Sequence, residues 1–240
     1  MTRLAVGSTL RRTLALCRAE WWALIALAVM VEVPVIIADA TSIHLLDIEV
    51  GSDGPAGDRV IAGLILLLWT TLAHHVLLAG VEEVEASHRR GEPRARLISV
   101  LRGLPVGRLL LADVVITLAF IGGLILLIVP GIFVFVWTTP VFPLLSMERQ
   151  TVRATVRRSI QIVRGSAWRL LVVIGVVWFS SQVAAQILTT LLHNEPFIEA
   201  IVHHLVVLAF EPLAAAAVVV ATYELVALDA DRHREPAATE

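Results

Sequence analysis

The chain has 240 residues, of which 58% are hydrophobic, and its mean hydropathy is +0.83, well above the roughly 45–50% apolar content of an ordinary soluble domain. Its 19 basic residues are all Arg and its 21 acids leave a formal charge of -2, so no overall basic excess points to nucleic acid as a partner. A single cysteine, Cys17, excludes an intrachain disulfide and any Cys-based zinc or iron–sulfur centre within the chain.

About 20 apolar residues are needed to cross a hydrocarbon core of about 30 Å. Runs of that kind cover Trp21–Ala38, Val60–Val81, Leu109–Val129, Leu170–Leu192 and Phe197–Val226. A sixth run, Ile132–Met147, is short and contains Pro140 and Pro143, and we read Leu109–Met147 as two crossings joined by a tight turn at Pro130-Gly131. Arg108 before this stretch and Arg149 after it support the even count, because both flanks of two crossings lie on one side of the membrane. With six spans every arginine except Arg59 falls on one side, whereas Asp39, Asp47, Glu49, Asp53 and Asp58 fall on the other. The positive-inside rule then places both termini in the cytoplasm, with the chain expected in the cell's inner (plasma) membrane. The basic start and an Ala38-Asp39-Ala40 site have the look of a cleavable signal peptide, but the apolar run is too long for one and carries Glu32.

An offset of 146 positions lays Thr9, Arg11, Arg12, Arg18, Trp22 and Leu24 on Thr155, Arg157, Arg158, Arg164, Trp168 and Leu170. A weaker copy carries Arg96 and Arg102, which match Arg12 and Arg18. Each copy precedes a span, so the expected architecture is all-α and polytopic: three hairpins at about 9–86, 94–148 and 150–228, each preceded by an Arg-rich segment, with a cytoplasmic tail at 229–240. In the third copy Val152, Val156, Ile160 and Val163 recur at helical spacing beside a row of Arg149, Arg153, Arg157 and Arg164. This predicts an in-plane amphipathic helix over Thr151–Arg164. Its guanidinium groups, with Arg11, Arg12, Arg18, Arg96 and Arg102, are the candidate contacts for anionic lipid head groups. The competing expectation is that these arginines set topology and pair with the inner-end acids Glu82, Glu148 and Glu224.

Leu127-Ile128-Val129-Pro130-Gly131-Ile132, the Trp137 helix ending at Pro140-Val141, Glu148, and Ala154-Thr155-Val156-Arg157-Arg158-Ser159 running to Val163-Arg164-Gly165 and Trp168 together resemble the membrane domain associated with some bacterial glycerophosphodiester phosphodiesterases. Related stand-alone six-helix proteins of unknown function share the pattern. The likeness is most specific over Leu124–Leu171, and the sequence departs from it at Tyr223-Glu224-Leu225, where that family more often has Tyr followed shortly by Asp and Arg. The resemblance implies a helical membrane domain without catalytic residues, because in that family the hydrolase is a separate soluble domain.

No phosphate-cradling Gly-rich Lys loop, Gly-x-Ser-x-Gly elbow or His-Glu-x-x-His pair occurs in the sequence, so the chain reads as non-enzymatic and without a cofactor. The neighbours His74-His75 and His203-His204 point about 100° apart on a helix and do not make a metal site by themselves. Glu32 and Glu211 carry the chemistry that composition does not explain, since they sit about 16 and 21 Å into their spans at 1.5 Å per residue. A carboxylate at that depth must be partnered, protonated or hydrated, so the two are expected to meet or share a polar cavity, with at least one protonated near neutral pH. Asp113, near an inner end, is read as structural and able to reach Arg108. Two functions follow: a lipid-interacting module that scaffolds or regulates a membrane partner, and, as the alternative, a small proton-coupled transporter using the midplane acids.

Overall fold

The computed structural model describes residues 4–49, 56–92, 100, 102–126, 128–191 and 196–234. Among these the secondary structure is wholly helical. The elements are α1 (Val6–Glu49), α2 (Ala56–Arg89), α3 (Val106–Leu126), α4 (Ile128–Thr138), α5 (Val141–Glu148), α6 (Val152–Val163), α7 (Ala167–Leu191) and α8 (Pro196–Arg234). Six stretches are long and apolar enough to cross a membrane: Val6–Ile37, Gly63–Arg89, Val106–Gly123, Val129–Glu148, Ala167–Leu188 and Leu208–His233. The outward faces carry large apolar side chains, among them Ile37, Leu118, Ile125, Phe179 and Leu191. In water such a surface would drive aggregation, whereas facing lipid tails it carries no penalty.

Helix α8 is the axis. Its span is the most buried of the six and packs on α1, α2 and α7, while α7 is the least buried. The run Ala215, Ala216, Ala217, Val219 and Ala221 is sealed from the surface, and small side chains there let neighbouring helices approach closely. Leu24, Leu27, Leu77, Leu78 and Phe142 fill the contacts around it. Gly80 serves the same end, because a Cβ there would lie 2.6 Å from Leu27 Cδ2.

Three expectations change in detail. Pro130 and Gly131 lie inside α4 rather than forming a turn between two helices. Pro130 is tolerated because an N–H in the first turn of a helix has no intrahelical partner. Gly131 is instead a packing residue, its Cα 3.1 Å from a Cβ built on Gly123. The fourth span is two helices, α4 and α5, interrupted at Thr139-Pro140. The chain end also differs: α8 continues to Arg234, and Asp229 is buried against Arg158, so residues 229–234 extend the last helix rather than forming a separate tail.

Helix α6 lies against α4 and α5, and its buried residues are Thr155, Ser159, Ile162 and Val163. The apolar row Val152, Val156, Ile160 and Val163, expected to face the acyl boundary, is divided: Val163 is buried, Val152 and Val156 are half-buried and Ile160 is exposed. The reason is polar. Ser159 Oγ donates to the Trp137 carbonyl at 2.6 Å, one of the groups left over where α4 stops, and this bond turns the small hydroxyl face inward.

Helix α1 bends at Glu20, whose backbone leaves helical values at φ -114, ψ 21. By the 146-residue offset this bend coincides with Ser166, which follows the break between α6 and α7 at positive-φ Gly165. The buried positions coincide as well: Thr9 with Thr155, Thr13 with Ser159, Leu16 with Ile162, Cys17 with Val163, Leu24 with Leu170 and Leu27 with Val173.

Candidate functional site

Two polar layers interrupt the apolar bundle. The deeper one is built from α1, α2, α3 and α8. Position 211 of α8 stands 13 residues before Glu224, about 20 Å along the helix from the ionic rim around it at 1.5 Å per residue. There His74 Nδ1 lies 2.9 Å from Glu211 Oε2, and Glu32, buried on α1, is within electrostatic reach of both groups. Glu211 thus has an imidazole partner, His74, that sequence reasoning did not place.

The neighbouring side chain begins a second pair. His75 Nδ1 is 2.7 Å from Asp113 Oδ1, and Asp113 has no exposed surface. Thr71 Oγ1 adds a long contact to the other oxygen at 3.4 Å. His75 also stacks on Phe142 of α5, ring centroids 3.4 Å apart, and meets the His74 ring edge-on at 5.8 Å. Asp113 does not reach Arg108, which donates instead to the Arg149 carbonyl at 2.7 Å. His74 and His75 are adjacent in sequence and diverge as a helix requires, so one faces Glu211 and the other Asp113. The sequence held a signal for this: both histidines sit mid-span in α2, where an ionisable group needs a partner. The side chains of His203 and His204 lie outside the described residues.

His74, His75 and Glu211 line a cavity of about 220 Å³ whose other polar walls are Thr138 and Thr139, at the α4–α5 interruption, and Ser181 and Gln182 of α7. Its apolar walls include Phe135, Phe142, Trp178 and Phe210. Trp178 and Gln182 are exposed, so the cavity opens laterally, mid-span, beside α7. The Thr138 and Thr139 hydroxyls donate to the Val134 and Phe135 carbonyls, both at 2.7 Å, and Ser181 donates to Trp178 at 2.7 Å. Their protons are committed to the backbone, so what they offer the cavity is lone pairs.

The second layer is an ionic rim. Glu224 accepts from Thr9 at 2.5 Å and Arg12 at 3.0 Å, Tyr223 donates to Glu82 at 3.0 Å, and the Arg89 guanidinium lies 4.0 Å over the Tyr223 ring. Arg158 bonds Asp229 and lies 3.7 Å from Glu148, tying α6 to α5 and α8. Glu20, at the bend of α1, meets His88 at 3.0 Å. Beyond α2, Glu92 accepts from Arg90 at 2.5 Å and from Ser87 at 3.0 Å. The Arg90 bond first, then the Ser87 bond, hold its carboxyl below the ordinary carboxylate range.

Of the arginines named as head-group contacts, Arg12 is therefore an ion-pair partner, and Arg96 lies outside the described residues. Arg11, Arg18, Arg102, Arg153, Arg157 and Arg164 are exposed. Arg153, Arg157 and Arg158 line a surface groove of about 400 Å³ with Thr151 and Gln161. A larger groove of about 730 Å³ runs between α1 and α8, lined by Trp21, Trp22, Phe210, Pro212 and Leu213, with Arg18 beside it.

No protein-family model, curated protein or solved structure matches the chain.

Proposed function

We propose that this chain is a small, non-enzymatic membrane carrier that couples movement of a solute to protons through Glu32, His74 and Glu211. The observation that carries the reading is the Glu211–His74 pair, with Glu32 within electrostatic reach, opening onto a largely apolar cavity within the spans that also holds Thr138, Thr139, Ser181 and Gln182. Ionisable groups at that depth are costly unless they serve a pathway or a partner, and here a lined cavity adjoins them. The interrupted fourth span borders the same cavity, which is the position discontinuous helices take in transporters, where unwound backbone faces the binding site. The coincident bends and buried positions of α1 and α6–α7 support a repeated unit of Arg-rich helix and hairpin. In this reading the Arg-rich rim is cytoplasmic and the protein lies in a bacterial inner membrane.

Reconstitution tests the reading. Proteoliposomes carrying the wild-type chain dissipate an imposed pH gradient faster than empty liposomes when a transported solute is supplied, and Glu211→Gln, which keeps shape and hydrogen-bonding capacity without ionising, inserts and folds but loses the flux. Equal flux in a folded Glu211→Gln protein would leave the pair a structural tie.

A second reading, a lipid-interacting module that scaffolds or regulates a membrane partner, is favoured by the exposed Arg153, Arg157 and Arg164 row and by the apolar α1–α8 groove beside Arg18. An acyl chain in that groove would bring its phosphate to the guanidinium, and each such contact near the surface contributes about 1 kcal/mol. The non-enzymatic character implied by the resemblance over Leu124–Leu171 suits either reading. Replacing Arg153, Arg157 and Arg164 together by Gln should lower retention of anionic lipid by the purified protein, and unchanged retention in a correctly inserted variant would leave these arginines a topological role.

A further inference from the structure

We propose that the cavity beside Glu211 binds a small, amphiphilic organic cation, which enters in exchange for a proton. This rests on the carrier reading and adds the chemical class of the cargo. Charge at the site is unequal. Asp113 and His75 form one acid–imidazole pair of matched charge, with His75 stacked on Phe142. Glu32 and Glu211, by contrast, are two acids with one imidazole, His74. Away from water the surplus negative charge is neutralised either by a proton or by a cation, and the two are alternatives.

The rest of the wall fits the second. From α4 and α7 the cavity receives neutral groups, Thr138, Thr139, Ser181 and Gln182, of which the three hydroxyls present acceptors rather than donors. An anion would meet acceptors and carboxylates; an ammonium group meets partners. Among the described residues no arginine lines this cavity. The faces of Phe135, Phe142, Trp178 and Phe210 suit a cation bearing apolar substituents, since aromatic quadrupoles attract such ions once they are desolvated. The volume of about 220 Å³ matches roughly seven waters at ~30 Å³ each. The opening past exposed Trp178 and Gln182 lies mid-span, so a fully hydrated inorganic ion has no aqueous route through it, whereas an amphiphile arriving from the lipid does.

The exchange balances: the cation enters, one proton leaves the Glu32–His74–Glu211 group, and the net charge of the site is unchanged. The groups facing Glu211 are Glu32 from α1 and His74 from α2, with His75 and, through it, Asp113 of α3 behind; α4 and α7 contribute the neutral residues above.

Titration calorimetry on the purified full-length protein in detergent near neutral pH, with tetraethylammonium as probe and benzenesulfonate as control, tests this. Repeating the titration in buffers of different ionisation enthalpy counts protons. The expected result is tetraethylammonium binding with about one proton released per cation, no binding of benzenesulfonate, and affinity at least about tenfold weaker in Glu211→Gln. Should that variant fail to fold, proton release by the wild type decides. Binding without proton release, or equal binding of the sulfonate, overturns the inference. Absence of tetraethylammonium binding in a protein that dissipates a pH gradient removes the cation and leaves the carrier reading standing, while absence of both removes the two together.

Discussion

Arg158 shows how single side chains hold the rim. Its guanidinium reaches Asp229 on α8 and Glu148 on α5, and both carboxylates are largely buried. Arg158→Met keeps the stem and removes the charge, leaving Glu148 and Asp229 without that guanidinium. Thermal unfolding in detergent should show a loss of about 1–3 kcal/mol, a range set below that for a fully buried pair because the guanidinium is partly solvated. Arg153→Met, on the exposed face, should change little, and equal loss in both variants would contradict the bridging role. Glu92 gives a pH-dependent counterpart outside the membrane. A carboxylate lowered by its bonds to Arg90 and Ser87 stabilises the turn at pH values above the ordinary carboxylate range, and that contribution disappears as pH falls through its lowered value. Exchange of the Glu92 amide, which donates to the Ser87 carbonyl at 3.1 Å, should quicken over that acidic window and not above it. Protection that is flat with pH would show that the backbone bond stands without the carboxylate.

Contacts between elements follow from how near two backbones come. A Cβ at Gly123 would sit 3.1 Å from Gly131 Cα and 3.3 Å from its nitrogen, and backbone atoms cannot swing aside as a side-chain tip can. Gly123→Ala should therefore destabilise the α3–α4 contact by about 1–3 kcal/mol, as overpacking does. Gly122→Ala, where nothing lies within 4 Å, should be close to neutral. Matching melting temperatures for the two variants would disprove the close approach. Much of this level is legible in the sequence, because hydropathy and Arg placement depend on the solvent rather than on tertiary contacts. Six spans are visible for that reason. The interior face of α6 is not, since Thr155 and Ser159 read as polar until the Trp137 carbonyl beside them is known. His74 and His75 are missed similarly: Glu32 and Glu211 announce themselves by depth and charge, but a histidine's role depends on a partner 137 positions away in the chain. Tyr223 is another such case, its hydroxyl finding Glu82 across α2 and α8.

At the scale of the whole molecule the bundle has an apolar exterior, an ionic rim at one end and a polar site between the spans. Orientation in the membrane is checked by cysteine accessibility, since the native Cys17 is buried and gives little background. Ser52→Cys, in the connection expected outside, should react with an impermeant reagent in intact cells, and Gln150→Cys, exposed at the rim, should react only after lysis. The reverse pattern would invert the topology. Ser52 lies outside the described residues, and Ser87, buried against Glu92, would be a poor reporter. The central claim is that the deep acids hold an exchangeable proton. Infrared difference spectroscopy of the protein in lipid, stepped through neutral pH, reports it directly. A protonated-carboxyl band that titrates in the wild type and is lost or shifted in Glu32→Gln and Glu211→Gln is the expected result. A spectrum in which no carboxyl of the wild type changes protonation across that range, with either variant superimposable on it, would contradict the claim.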